Sequence, residues 1–444
     1  MAKYHNSRFV ISKRKIPLSV AVVILTIYCF SRGGIGLFIS NTNWAIMLMI
    51  AGLMSVLAAL TYLQKVQFQV SQSLALLMII EILAWDNNDL KSGDWFLTYI
   101  FCIIYLFWII AMFTDTWFEL GLEMMLIMAG FHAFWTLACY FSSDIYYSVV
   151  YPIVDTISYY SLRSMYEKGF IAGFNYSNSQ NAIYLTMGLC ICIAQLFFAG
   201  KRIKNNKKWC ILSLVFMICL LFTGKRGPIV WFLAGYVVTY YFYHSDRPMS
   251  RLYKIFALVV FAVVIFTIAA PLIPGLDNFI QRFIEMENSG DITTGRIELW
   301  SMGMDGFLSS PVLGHGWFWF KNNNILGEIY HVHNCYIQWL CELGIVGSLA
   351  FFGFVIRSYS HIVKMVKGFR TGRYWFSAFH QVILTTALLY ETYFLLYAFA
   401  GTSFYEPECL LPYVFLSAMS EYIWSHCRTD DISPVELIEA GNKK

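Results

Sequence analysis

Residues 335–356 read CYIQWLCELGIVGSLAFFGFVI, 22 residues with a single charge, Glu342. About 20 apolar residues in helical form rise about 30 Å, the thickness of a bilayer's hydrocarbon core. Comparable runs occur at about 16–37, 43–63, 70–88, 95–113, 118–141, 181–199, 209–223, 227–243, 255–273, 375–400 and 409–426. The pattern predicts an all-α polytopic membrane protein, a single membrane domain over 1–444 with twelve transmembrane helices.

Composition agrees with that reading. Of 444 residues 58% are apolar and 13% charged, and the mean hydropathy is +0.58. Soluble domains are about 25% charged. So little polar sequence leaves no room for a large soluble catalytic domain. The net charge of +4 gives no basis for nucleic-acid binding. The eleven cysteines sit mostly in apolar runs and form no CxxC pair, so they read as small packing residues rather than as a zinc site or a disulfide scaffold. Lys3, Arg8, Lys13, Arg14 and Lys15 precede the first run, but no small-residue cleavage site follows it, which predicts a retained first helix.

With the N-terminus inside, 22 of the 31 Lys and Arg fall on inner segments, including five in 357–373. This bias predicts cytoplasmic N- and C-termini. Two segments are then long extracytoplasmic loops: 142–180, rich in Tyr and Ser, and 274–334, between the ninth and tenth spans. Within the second, Phe279, Ile280, Phe283 and Ile284 alternate with Gln281, Arg282, Glu285 and Glu287, the spacing of a short interfacial helix. Rossmann, P-loop and HExxH patterns and internal repeats are absent.

Three constellations carry chemistry. Thr223-Gly224-Lys225-Arg226-Gly227 places two cations in a tight outer hairpin, where positive charge is disfavoured. Either an anion such as a lipid phosphate balances them, or they reach to headgroups. Arg296 opens a helix expected to run to Phe307 with Thr293 or Thr294 as cap, and pairs either with a shared anion or with Asp291. His331-Val332-His333-Asn334 ends the long loop, before Glu342-Leu343-Gly344. A neutral histidine there accepts a proton from a sugar hydroxyl, or else only bonds backbone. His315, His331 and His333 could also bind a metal, but no carboxylate or cysteine completes a familiar ligand spacing. The intramembrane groups Glu81, His132, His380 and Glu391 either tie helices together or form the proton path of a transporter.

Arg226 in Gly-Lys-Arg-Gly, Gly295-Arg296 with Trp300, Pro311-x-x-Gly314-His315-Gly316, His333-Asn334 and Glu342-Leu343-Gly344, in this order, resemble the superfamily of O-antigen ligases and Wzy-type O-antigen and capsular polysaccharide polymerases. The motif resemblance covers about 224–347, and elsewhere it is topological. It implies a metal-independent glycosyltransferase without cofactor, multi-pass in the bacterial cytoplasmic (inner) membrane, acting at its outer face. The implied donor is a glycan on undecaprenyl pyrophosphate. Arg226, Arg296 and Lys225 would hold the pyrophosphate and His333 would be catalytic, with Asn334, His331, Glu342 and Arg163 in support. Which hairpin cation meets phosphate stays open, since Lys225 and Pro228 flank the Arg226-Gly227 pair.

The leading expectation is a polymerase that extends a lipid-linked repeat unit in O-antigen, capsule or exopolysaccharide synthesis. The runner-up is a ligase moving finished glycan to another acceptor. Membrane lipids, a chain-length regulator and a flippase are the expected partners, and no nucleic acid is. The rival from another class is a secondary transporter or lipid-linked oligosaccharide flippase, although no paired broken helices mark two symmetric halves. An acyltransferase is disfavoured because no loop histidine has an acidic residue at HxxxxD spacing.

Overall fold

The computed structural model describes residues 117–154, 161–198, 206–243, 295–323, 331–374 and 376–427, with Asp115 and scattered helical residues between 20 and 54. Apart from those scattered residues, the first four expected spans lie outside the described residues. So do the ninth span, the segment around 279–287, Glu81, Asp291, Thr293, Thr294 and both termini.

Among the described residues the regular elements are helices: α1 (Phe118–Phe141), α2 (Ser161–Glu167), α3 (Asn178–Phe198), α4 (Asn206–Phe222), α5 (Arg226–Tyr243), α6 (Arg296–Ser309), α7 (Trp319–Asn323), α8 (Cys335–Arg370), α9 (Ala378–Tyr397) and α10 (Pro407–Cys427). The apolar runs expected at 118–141, 181–199, 209–223, 227–243, 335–356, 375–400 and 409–426 fall on α1, α3, α4, α5, α8, α9 and α10. Three stretches, Phe118–Phe141, Asn178–Leu196 and Cys335–Arg370, are long and apolar enough to cross a membrane.

α9 is the axis of the bundle and packs against α3, α5, α8 and α10. Every residue from Val382 to Phe394 is buried, as a helix apolar on all faces requires. Trp339 of α8 closes on Phe351 and Phe404 at ring distances of 3.9 and 4.2 Å. The outer faces are apolar as well: Phe134 and Phe141 on α1, Ile211 and Leu214 on α4, and Leu349 and Ile356 on α8 are more than 60% exposed. In water such stripes would cause aggregation, whereas in a bilayer they meet lipid.

α8 runs well past the expected end at 356. Beyond Arg357 the apolar spacing continues on one face, with Ser358, His361, Ile362, Met365 and Val366 buried. The hydropathy window stops at the first charge, but the helical period does not. The segment 142–180 also carries more structure than a loop. It is helical over Ser143–Ile145, Tyr146–Val150, Tyr151–Val154 and α2. Tyr146 stacks on Tyr166 at 3.6 Å, and the Tyr166 hydroxyl donates to the Cys139 carbonyl at 2.7 Å.

α8 is broken at Gly344, whose φ of 63° and ψ of −166° are not helical. The break leaves amides and carbonyls without their usual helical partners, and the segment 311–316 supplies replacements. Ile345 N and Val346 N donate to the Pro311 and Val312 carbonyls at 2.8 and 3.1 Å, while His315 N and Gly316 N donate to the Cys341 and Glu342 carbonyls at 3.1 and 2.8 Å. Each unsatisfied group at membrane depth would cost several kcal/mol. Backbone this close permits only glycine on either side. A Cβ on Gly344 would stand 2.4 Å from the Val312 oxygen, and one on Gly314 (φ 73°) would stand 2.3 Å from the Glu342 oxygen.

Candidate active site

The cationic hairpin is held from two sides. α4 ends at Phe222 and α5 starts at Arg226, with Gly224 turning at φ 68°. A Cβ on Gly224 would run into the Phe170 ring at 2.0 Å. Ile171 N donates to the Phe222 carbonyl at 2.8 Å, and Asn178 Nδ2 donates to the Thr223 carbonyl at 3.1 Å. The Thr223 hydroxyl accepts from Lys225 N at 3.3 Å and donates to the Leu220 carbonyl at 2.7 Å. Pro228 lies in the first turn of α5, where its missing amide costs no helical bond. Lys225 and Arg226 are half-buried.

Arg296 is the first residue of α6. Gly295, at φ 78°, is the cap and offers no side chain. α6 lies on α8 through its small residues: Gly303 faces Ile337 and Val332, and Gly306 faces Cys341 and Trp319. α8 begins in turn behind His333. Asn334 caps it, its Oδ1 accepting from Tyr336 N and Ile337 N at 3.1 and 3.2 Å. His333 adopts φ 54°, a left-handed conformation uncommon for a residue with a side chain and a mark of local strain.

Charges at the three helix starts act on one another. Arg226 and Arg296 are close enough to repel each other, and Arg296 and Lys225 both act on His333. Tyr397, from the end of α9, lies beside Gly227 and within electrostatic reach of Arg296. Helix N-termini and cations around one space favour an anion. Burial first, then Arg296 and Lys225, push His333 down to about 4, so its ring is neutral at neutral pH. Burial, Lys321 and His333 push His331 down to about 3.

The other expected residues take separate places. The guanidinium of Arg163 is on Glu167 at 2.9 Å in an exposed pair along α2, and its further electrostatic partners are Tyr147 and Tyr151. Nε2 of His315 is within 2.9 Å of the Gly306 carbonyl and 2.8 Å of Ser309 Oγ, and the ring stacks on Trp319 at 4.0 Å. These ring contacts hold the 311–316 segment to α6 and α7. Among the described residues no group of three or more His, Cys, Asp or Glu is placed to hold a metal.

The ionisable groups expected within the membrane have individual neighbours. His132 stacks on Tyr184 at 4.2 Å and meets Asn175 at 3.0 Å. His380 is 4.0 Å from Asp115, and Glu391 accepts from Ser417 at 2.8 Å. Each contact ties one element of the bundle to another, as the helix-tying alternative requires.

Sequence reasoning passed over Asn178, Phe170, Gln338 and Tyr405. Phe170, from the segment before α3, and Asn178, the first residue of α3, brace the hairpin. Gln338 and Tyr405 donate to the buried Glu342 carboxyl group, each at 2.9 Å. Only Gln338 left a trace, as a polar residue about one turn inside an apolar run.

No curated protein matches this chain. Residues 210–352, which contain the hairpin, α6, the 311–316 segment and the start of α8, match the family described as O-antigen ligase. The helix starts that carry Arg226, Arg296 and His333 are thus all within the stretch, residues 210–352, that is similar to the O-antigen ligase family.

Proposed function

We propose that the protein is a polysaccharide polymerase of the bacterial cytoplasmic membrane. It transfers a growing glycan from undecaprenyl pyrophosphate to a hydroxyl of a lipid-linked repeat unit. The observation that carries this reading is that Arg296 lies within electrostatic reach of Arg226 and, together with Lys225, of His333. Their chemistry suits a departing pyrophosphate. As the bond from the anomeric carbon to the pyrophosphate oxygen breaks, negative charge grows on that oxygen, and preorganised cations stabilise it there. The acceptor oxygen forms the new bond to the anomeric carbon. Its proton passes to neutral His333 and then to the pyrophosphate. Charge compensation comes from side chains, so the reaction needs neither metal nor nucleotide. A chain-length regulator and a flippase are the proposed partners.

A ligase that moves finished glycan to a different acceptor uses the same donor chemistry, and the family's description as O-antigen ligase favours keeping it as the second reading. Purified protein in liposomes with lipid-linked repeat units separates the readings. Polymer with repeat-unit acceptor alone indicates a polymerase, and product only with a second acceptor lipid indicates a ligase. Movement of the lipid-linked unit across the bilayer without new glycosidic bonds would overturn both. In cells, His333→Ala at matched membrane abundance should abolish product while lipid-linked repeat accumulates.

A further inference from the structure

Glu342 is fully buried at the last turn before the break in α8, and four donors surround its carboxyl group. Gln338 Nε2 and Tyr405 Oη donate to its two oxygens at 2.9 Å each, and the backbone amides of Phe318 and Phe320 donate to it as well. Phe318 is held at φ 65° in doing so. The Val332 amide can only donate and so takes the Gln338 oxygen, which turns the NH2 of Gln338 toward Glu342. The rest of that amide is then committed. Nε2 is 3.0 Å from His331 Nδ1, and Oε1 accepts from Val332 N at 3.3 Å. Nδ1 of His331 must therefore be the acceptor, which leaves the ring proton on Nε2. The Val332 amide and the Asn334 cap grip the chain on both sides of His333.

We propose that Gln338 is a positioning residue. Bonded to Glu342, it fixes His331 as a neutral Nε2–H donor for a substrate oxygen and, through Val332 N, holds the left-handed turn that presents His333. This rests on the proposed function for what His333 does, while the state of the His331 ring is independent of it. The titratable groups around His331 are Lys321 from α7, His333 from its own segment, Glu342 from α8 and Tyr405 from the segment before α10. Burial first, then Lys321 and His333, keeps the ring neutral.

Two measurements test it. The first is nitrogen NMR of histidine-labelled protein in bilayers, with His331 assigned by difference against His331→Gln. The expected result is a neutral ring protonated at Nε2, shifting toward Nδ1 protonation in Gln338→Glu. An Nδ1-protonated or cationic ring in the unsubstituted protein overturns the proposal. The second is kinetics. Gln338→Glu should lower kcat about 10²-fold, the scale of a small misplacement of reacting groups, with KM little changed. It should also bring in an acid limb at higher pH, because a second carboxylate favours the charged imidazole. An unchanged kcat and pH profile overturns the positioning role. His331→Gln, which retains an N–H donor, should keep more activity than His331→Ala, and equal activity overturns the donor role. If His333→Ala proves fully active while the His331 ring is found as described, the proposed function falls and the tautomer assignment stands.

Discussion

At the scale of residues, His333 has its function and its backbone strain in the same place. A bulky residue at φ 54° costs about 1–3 kcal/mol and persists only where its surroundings impose it. Here the Gln338 bond to Val332 N and the Asn334 cap impose it. Two predictions belong to this scale. Arg226→Lys and Arg296→Lys should each lower kcat by roughly 10²–10³-fold at normal protein levels, because a point charge cannot replace a planar fork. Normal polymer synthesis in both variants would place the anion elsewhere. The second concerns pH. Burial, Arg296 and Lys225 hold His333 near 4 in the free protein, and a bound pyrophosphate offsets both cations and so raises that value. A base must be neutral, so activity is present above its pKa and lost as pH falls through it. The acid limb of kcat should thus lie at higher pH than that of kcat/KM. Coincident limbs, or the reverse order, would remove His333 as the base. The cations and the histidine were legible from residue type and spacing. The strain was not, since φ at position 333 depends on the Gln338 bond to Val332 N, which neither residue type nor spacing reveals.

At the scale of elements, the family segment is built around a helix that is deliberately interrupted. Hydropathy reads 335–356 as one span, because window averaging ignores φ, and a glycine in an apolar run is also ordinary helix-packing material. The tertiary partner turns Gly344 into a break, since the amides of residues 315 and 316 replace those of 345 and 346. Pro311-x-x-Gly314-His315-Gly316 and Glu342-Leu343-Gly344, which sequence suggests as chemistry, here act as two halves of a structural lock. Gly344→Ala and Gly314→Ala should therefore be far more damaging than Gly372→Ala. All three glycines have φ between 63° and 73°, but a Cβ at 372 meets no atom within 4 Å. Gly372→Ala carries only the conformational strain, about 1–3 kcal/mol. The other two add a backbone collision and the loss of the docked segment. Thermal unfolding in detergent checks this, and equal shifts for all three would refute the lock.

For the molecule as a whole, α8 sets the geometry across the membrane. Past the break at Gly344 the stretch 345–370 corresponds to about 39 Å of helix, longer than a hydrocarbon core of about 30 Å. In a cysteine-free background, Glu298→Cys should react with an impermeant thiol reagent in intact cells and Arg373→Cys only after permeabilisation, both positions being exposed. Reaction in the opposite pattern would invert the proposed topology. Apolar run length and the scarcity of charge were enough for an all-helical chain built for a bilayer, because burying backbone in lipid leaves few options. Residue order was enough to show the kinship of residues 210–352. What only the tertiary structure decided is which helix ends meet, where α8 breaks, and that Gln338 and Glu342 stand behind the histidines. These depend on contacts between segments far apart in the chain, and neither period nor composition in any one segment encodes which distant segment supplies its partners.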